Sequence, residues 1–287
     1  MRKGLLALLL LLALAGCQYE KKDARPLVIA TIRPYELLLR ELLGPDFEVR
    51  ALIPANASPH TYSPGPRDLK ALRDADLVLS NGLGLETDLE RAFAALGESH
   101  LRVEDLLRKE LPAYGGNPHL WLSPPLMRIL TLRLSERLQH MFPARATRIA
   151  RRAGDLAAAF AELDERIRRE RDQLGPTPLI TFHDSFHWFN FAYRIDHLGS
   201  VQSSPGREPT PREISRLGDL ILTHGVRAVC VEPQMDRRSA DVLAREFKLK
   251  LIELDPLGFS LGSGTLPQLI ADNWGRMKQA WQPGTPQ

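Results

Sequence analysis

Between Leu126 and Leu174 the chain carries one glycine, Gly154, and one interior proline, Pro143, and that stretch limits the fold more than any other. The apolar residues Ile149, Ala153, Leu156, Phe160, Leu163 and Ile167 recur three or four positions apart, the spacing of one buried helical stripe. The opposite face is rich in Arg and Glu, with pairs such as Glu162 and Arg166 one turn apart, and reads as solvated. From Ala144 to Leu174 a helix would extend about 45 Å at 1.5 Å per residue. An element so long acts as a rigid spacer between its flanks, which argues against a large hinge closure.

Both flanks alternate short apolar strands with amphipathic helices, the pattern of parallel sheets covered on both faces. Before the spacer, LVIAT, FEVRALI and ADLVLSNG read as strands, and PYELLLRELLG, RDLKALRDA and LETDLERAFAALG as helices. After it, PLITF, RIDHLGSV, RAVCVE and KLKLIEL read as strands. PREISRLGDLILTHG, capped by Thr210 with Pro211 at its first position, and SADVLAREF read as helices, and a closing helix is expected from Pro267 to Trp281. The expected fold is α/β, with two lobes of parallel sheet flanked by helices and joined by one long rigid backbone helix. The boundaries are 26–124 for the first lobe, 125–174 for the linking helix and 175–287 for the second lobe. The lobes resemble each other in pattern only.

The first residues read as an address. Arg2 and Lys3 precede the apolar run Leu5 to Leu14, which is short for a membrane span, and LAGC follows. This looks like a bacterial lipobox, implying cleavage after residue 16, acylation of Cys17 and a polar tether over 17–25. Removing 1–16 takes two basic groups and no acidic ones, leaving 36 Lys+Arg against 35 Asp+Glu. A nearly neutral chain gives no reason to expect nucleic acid as a partner. Only Cys230 remains besides Cys17, so no disulfide framework is expected, and within AVCVE it reads as a small buried apolar residue.

Four polar side chains stand where strands end. His60 lies in ASPHTYSPGP, a loop stiffened by Pro59, Pro64 and Pro66, past the strand FEVRALI. His119 repeats the arrangement between Pro118 and the Pro124–Pro125 pair, with Trp121 as a nearby apolar wall. His183 follows PLITF directly and Asp255 follows KLKLIEL, at the carboxyl ends where open α/β sheets gather ligands. Singly, each has an ordinary explanation: a solvated loop histidine for His60, a turn histidine packed on tryptophan for His119, a helix or turn cap for Asp255. Together, three imidazoles and a carboxylate make a full tetrahedral set for a borderline cation such as zinc. His187 could face the same way as His183, or pack on Trp188. Glu232 in VEPQ could orient a ligand, or form a buried salt bridge or cap.

These motifs, namely ASPHTYSPGPRDLKAL with ADLVLSNGLGLE, NPHLWLSP, ITFHDSFHWF, and VCVEPQMDRRSADVLARE with ELDPLG, closely resemble the metal-binding lipoproteins, the cluster A-I solute-binding proteins of zinc and manganese ABC importers. The resemblance spans residues 27 to 260 and implies a metal site between two lobes, with His60, His119, His183 and Asp255 on the family's ligand positions. It implies capture of Zn2+ and delivery to an ABC permease by an exported protein anchored through lipid on Cys17, expected to be a monomer. Two departures matter. The histidine-rich loop of many zinc members is reduced to ESHLRVEDLLRKELPAYGGN, with only His100, and the third ligand position holds His183 where manganese members tend to have glutamate. Three nitrogen donors suit zinc; Mn2+ and Fe2+ are the alternatives. A zinc hydrolase is the alternative of another class, opposed by the four-donor count and the lack of HExxH. A surface-adhesin role rests only on family members described that way.

Overall fold

A computed structural model describes residues 25–111, 116–203 and 206–282. The lipobox, Cys17 and most of the expected tether lie outside the described residues. The first lobe is a four-stranded sheet in the order β2-β1-β3-β4, from β1 (Leu27–Ala30), β2 (Glu48–Ala51), β3 (Leu77–Ser80) and β4 (His100–Arg102). The second repeats that order as β6-β5-β7-β8, from β5 (Pro178–Thr181), β6 (Asp196–Ser200), β7 (Ala228–Val231) and β8 (Lys250–Glu253). Every pairing is parallel, so all carboxyl ends in one sheet face the same edge. The inner strands β3 and β7 are buried along their whole length, as near-continuous apolar runs require.

Helix α1 (Arg33–Leu43) ends on Gly44 at φ 69°, a backbone conformation that favours glycine. A Cβ there would also meet the Arg152 guanidinium, so Gly44 lets the spacer approach closely. Helix α2 (Pro66–Asp74) opens on Pro66 after the His60 loop. The stretch expected as the helix LETDLERAFAALG is instead a 3-10 turn, Thr87–Leu89, and the single turn α3 (Glu90–Phe93). Glu86 explains the difference: its carboxylate accepts from the backbone amides of Asn81 and Gly82 and from the Thr31 hydroxyl, fixing residues 81–86 as a turn. Strand β4 and the short α4 (Val103–Leu106) were not anticipated.

The segment 125–174 holds two helices, α5 (Pro124–Met141) and α6 (Ala146–Asp172), packed along each other and joined by the 3-10 turn Pro143–Arg145. Pro143 lacks an N–H and disfavours helical geometry in its predecessor; Phe142 accordingly sits at φ −127°, ψ 64°. Helix α6 is the long spacer, about 40 Å over its 27 residues. All six stripe residues from Ile149 to Ile167 are buried.

The spacer belongs to both lobes. Arg148 pairs with Asp46 of the first at 3.0 Å, while Asp164 accepts from the Tyr193 hydroxyl at 3.0 Å and Glu170 from the Trp274 indole at 2.8 Å in the second. Tyr193 ends α7 (His187–Tyr193) and Trp274 lies on the closing helix α10 (Leu266–Met277). One apolar cluster runs from the first sheet through α5 and α6 to Phe186, Phe189, Leu254 and Trp274. A second lies under α8 (Pro211–His224) and α9 (Arg238–Phe247). A core continuous across the lobes resists bending, because close-packed interiors do not deform gradually.

Candidate metal centre

His183 stands two residues beyond β5 and is buried. Its Nδ1 lies 2.6 Å from Oε1 of Glu232, the residue after β7, and the Ser185 hydroxyl donates to the same oxygen at 2.9 Å. His119 is held by Asn117, whose Oδ1 accepts from the His119 backbone N–H at 3.0 Å and from ring Nδ1 at 2.7 Å. The Asn117 amide nitrogen donates to the Asp184 carbonyl at 2.6 Å, which fixes which end of the amide faces the imidazole. His60 comes from the proline-flanked loop after β2 and is only partly buried.

With acceptors on both Nδ1 atoms, His119 and His183 carry their ring proton there and present bare Nε2 lone pairs to the cleft. His119 Nε2 lies 3.1 Å from His60 Nε2 and 3.0 Å from His183 Nε2. Nitrogens bound at about 2.0–2.1 Å to a tetrahedral zinc ion lie roughly 3.3 Å apart, so this spacing nearly matches a coordination sphere. Ser58, Trp121, Pro256 and Leu257 help wall a cavity of about 10 Å³ at this point, room for one ion and not for an organic ligand. Burial, then the charge of His183, pulls the His60 imidazole down to about 4, and the same causes with His60 itself hold His119 well below its ordinary value. Burial also pulls on His183, but the charge and hydrogen bond of Glu232 outweigh it and leave His183 above its ordinary value. Two imidazoles are therefore ready as neutral donors and the third is made more basic by its carboxylate.

Among the described residues, His60, His119 and His183 form the one His/Cys/Asp/Glu group whose ligand atoms all lie within 4.8 Å of one another. Asp255 is not in it. Its carboxylate is fully buried and taken up by the loop after β8: Oδ1 accepts from the Gln234 side chain at 3.0 Å and the Gly258 amide at 2.9 Å, Oδ2 from the Ser260 and Leu261 amides. Those hydrogen bonds outweigh the effect of burial and keep the carboxyl below its ordinary value. The turn cap is thus realised, with Pro256 and Leu257 of the same loop at the cavity wall. His187 is not in the cluster either: it is half exposed, with Nδ1 on Asp184 at 3.1 Å. Sequence reasoning missed Asn117 and Ser185, whose only signal was a polar side chain two residues from a candidate histidine.

Two α/β lobes fixed on a stiff helix, with three imidazoles converging on an ion-sized cavity in the cleft, define a metal-binding protein. Residues 28–280 match the family described as "ZnuA: Zinc-uptake complex component A periplasmic", and the chain belongs to it. A "Putative metal-binding protein" of Thermotoga maritima is 31% identical over 95% of this chain and 97% of its own length. The "High-affinity zinc uptake system protein ZnuA" of Haemophilus ducreyi is 26% identical over 85% of this chain and 89% of its own. The solved structure of the periplasmic zinc-binding protein TroA from Treponema pallidum superposes with a TM-score of 0.81 at 23% identity, covering 91% of this chain and all of that one. The family comprises solute-binding proteins of ABC metal importers that work outside the cytoplasm at the membrane, not enzymes. The hydrolase alternative is thereby set aside.

Proposed function

We propose that the cargo is Zn2+, bound by Nε2 of His60, His119 and His183, with Asp255 as the fourth, oxygen donor, and handed to the permease of an ABC importer. The observation that carries this reading is the convergence of three Nε2 atoms at 3.0–3.1 Å, two of them with Nδ1 already committed to acceptors. Three neutral nitrogens favour zinc over manganese, which prefers oxygen. With Asp255 ionised the bound site would carry a net charge of +1 before Glu232 is counted. For Asp255 to bind while Oδ1 stays with Gln234 and Gly258, Oδ2 must exchange a backbone amide for the ion. Cys17 is proposed to carry the lipid that holds the protein at the membrane, the polar residues after it serving as tether. Metal analysis with competitive Zn2+ and Mn2+ titration tests the assignment. One zinc per chain is expected, held against excess manganese and lost in His183→Ala but not in His224→Ala. Equal retention by wild type and His183→Ala refutes it.

A further inference from the structure

The three histidines are not held alike. The His119 loop is stitched to the second lobe by three hydrogen bonds: Asn117 Nδ2 to the Asp184 carbonyl, the Trp188 indole to the Asn117 carbonyl at 2.7 Å, and the Trp121 indole to the Pro256 carbonyl at 2.8 Å. His183 belongs to that lobe. The His60 loop, residues 54–64, makes its other side-chain bonds within its own lobe, Tyr62 to Asp68 at 2.9 Å and Ser63 to Asp88 at 3.0 Å. Its only hydrogen bond to the second lobe, apart from the imidazole and among the described residues, runs from Gln234 Nε2 to the Ala55 carbonyl at 3.1 Å. Gln234 lies in the loop after β7, two residues beyond Glu232.

A glutamine amide nitrogen has two hydrogens. One goes to Ala55, and the other to Asp255 Oδ1 at 3.0 Å. The buried carboxylate thereby sets the plane of the amide and aims its second N–H at the first lobe. The loop it grips contains Pro54, Pro59 and Pro64, so it has little freedom to yield residue by residue and moves as a piece. A stiff segment tied at one point leaves when that point lets go.

We infer that Gln234 is the positioning residue that latches the His60 loop onto the second lobe and thereby sets how fast the bound ion leaves. It holds Asp255 Oδ1 with one N–H and acts on the ion through the His60 loop with the other. This rests on the zinc-capture reading above and adds to it a defined order of release: the His60 loop detaches while His119 and His183 stay with the second lobe.

The test is the rate at which a chelator in excess captures zinc from the full chain, measured for wild type, Gln234→Leu and Gln234→Met, each also in a His60→Ala background. Both apolar variants keep the bulk of glutamine and remove the donor. They should release zinc about tenfold faster, the scale of one lost hydrogen bond, with association within twofold of wild type. In the His60→Ala background the same substitutions should change release less than twofold, because the loop no longer holds the ion. A purely structural role for Gln234 would instead accelerate release equally in both backgrounds, which overturns the inference. Release within twofold of wild type in both variants, while wild type holds one zinc, overturns it and leaves the capture reading standing. A wild-type chain that holds no zinc removes both.

Discussion

At the scale of single residues, the centre is decided less by the histidines than by what stands behind them. Glu232 fixes the tautomer of His183 and raises its basicity, and Asn117 does the orienting for His119. Groups that orient a metal ligand in this way typically contribute 10–100-fold in affinity, so Glu232→Gln should weaken zinc binding by roughly that factor in a competition titration. The pH dependence follows with its sign. Zinc needs neutral imidazole, and His183, held above its ordinary value, is the last of the three to lose its proton as pH rises. Affinity should therefore fall by up to about tenfold per pH unit once pH drops below the His183 value, one proton being displaced per zinc. His60, at about 4, adds a second proton only in much more acidic solution. Glu232→Gln removes the carboxylate that raises His183, so the whole profile should shift to lower pH. An unshifted profile would show that Glu232 does not act through His183. The imidazoles were legible in the sequence because prolines and strand ends mark where a side chain is presented to a cleft. Asp255 was legible as a strand-end carboxylate, but only coordinates show its oxygens committed to the amides of Gly258, Ser260 and Leu261.

At the scale of elements, local rules carried most of the reading, and failed where a distant side chain overrode them. The helix Pro211–His224 has the foreseen cap: the Glu213 amide donates to the Thr210 hydroxyl oxygen at 3.3 Å, and the Glu213 carboxylate accepts from the Thr210 amide at 2.8 Å. Thr210→Ala should lower unfolding free energy by about 1 kcal/mol in denaturant titration while leaving the metal-free spectrum native. Residues 85–97 read as an amphipathic helix closed by Gly97, yet Glu86 is drawn into the Asn81–Gly82 turn and only one helical turn survives. Periodicity alone does not reveal such a pull. In the spacer, Pro143 was visible in the sequence, and the structure uses it to end one helix and begin another. Gly44 is tighter still, since a side chain there meets both a positive φ and Arg152. Gly44→Ala should cost on the order of 1–2 kcal/mol by thermal or chemical unfolding, and no measurable loss would mean that α6 does not press on α1 as described.

At the scale of the whole molecule, repeated strand order in two lobes brings carboxyl ends to a shared cleft, and α6 keeps the lobes in register through a core common to both. Two of the three clustered histidines come from the first half of the chain and one from the second, so neither half is expected to bind zinc well alone. The lipid proposed on Cys17 is tested at this scale too: Cys17→Ser should release the protein from membranes into the soluble exported fraction, read by fractionation, with zinc binding unchanged. Persistent membrane association would argue against a lipid on that residue. The proposed site requires His60, His119 and His183 to meet on one ion. X-ray absorption at the zinc edge of the one-to-one complex tests this most directly. It should report three imidazole nitrogens at about 2.0 Å with one oxygen donor, falling to two imidazoles in His60→Ala. A wild-type spectrum with fewer than three imidazoles would contradict it.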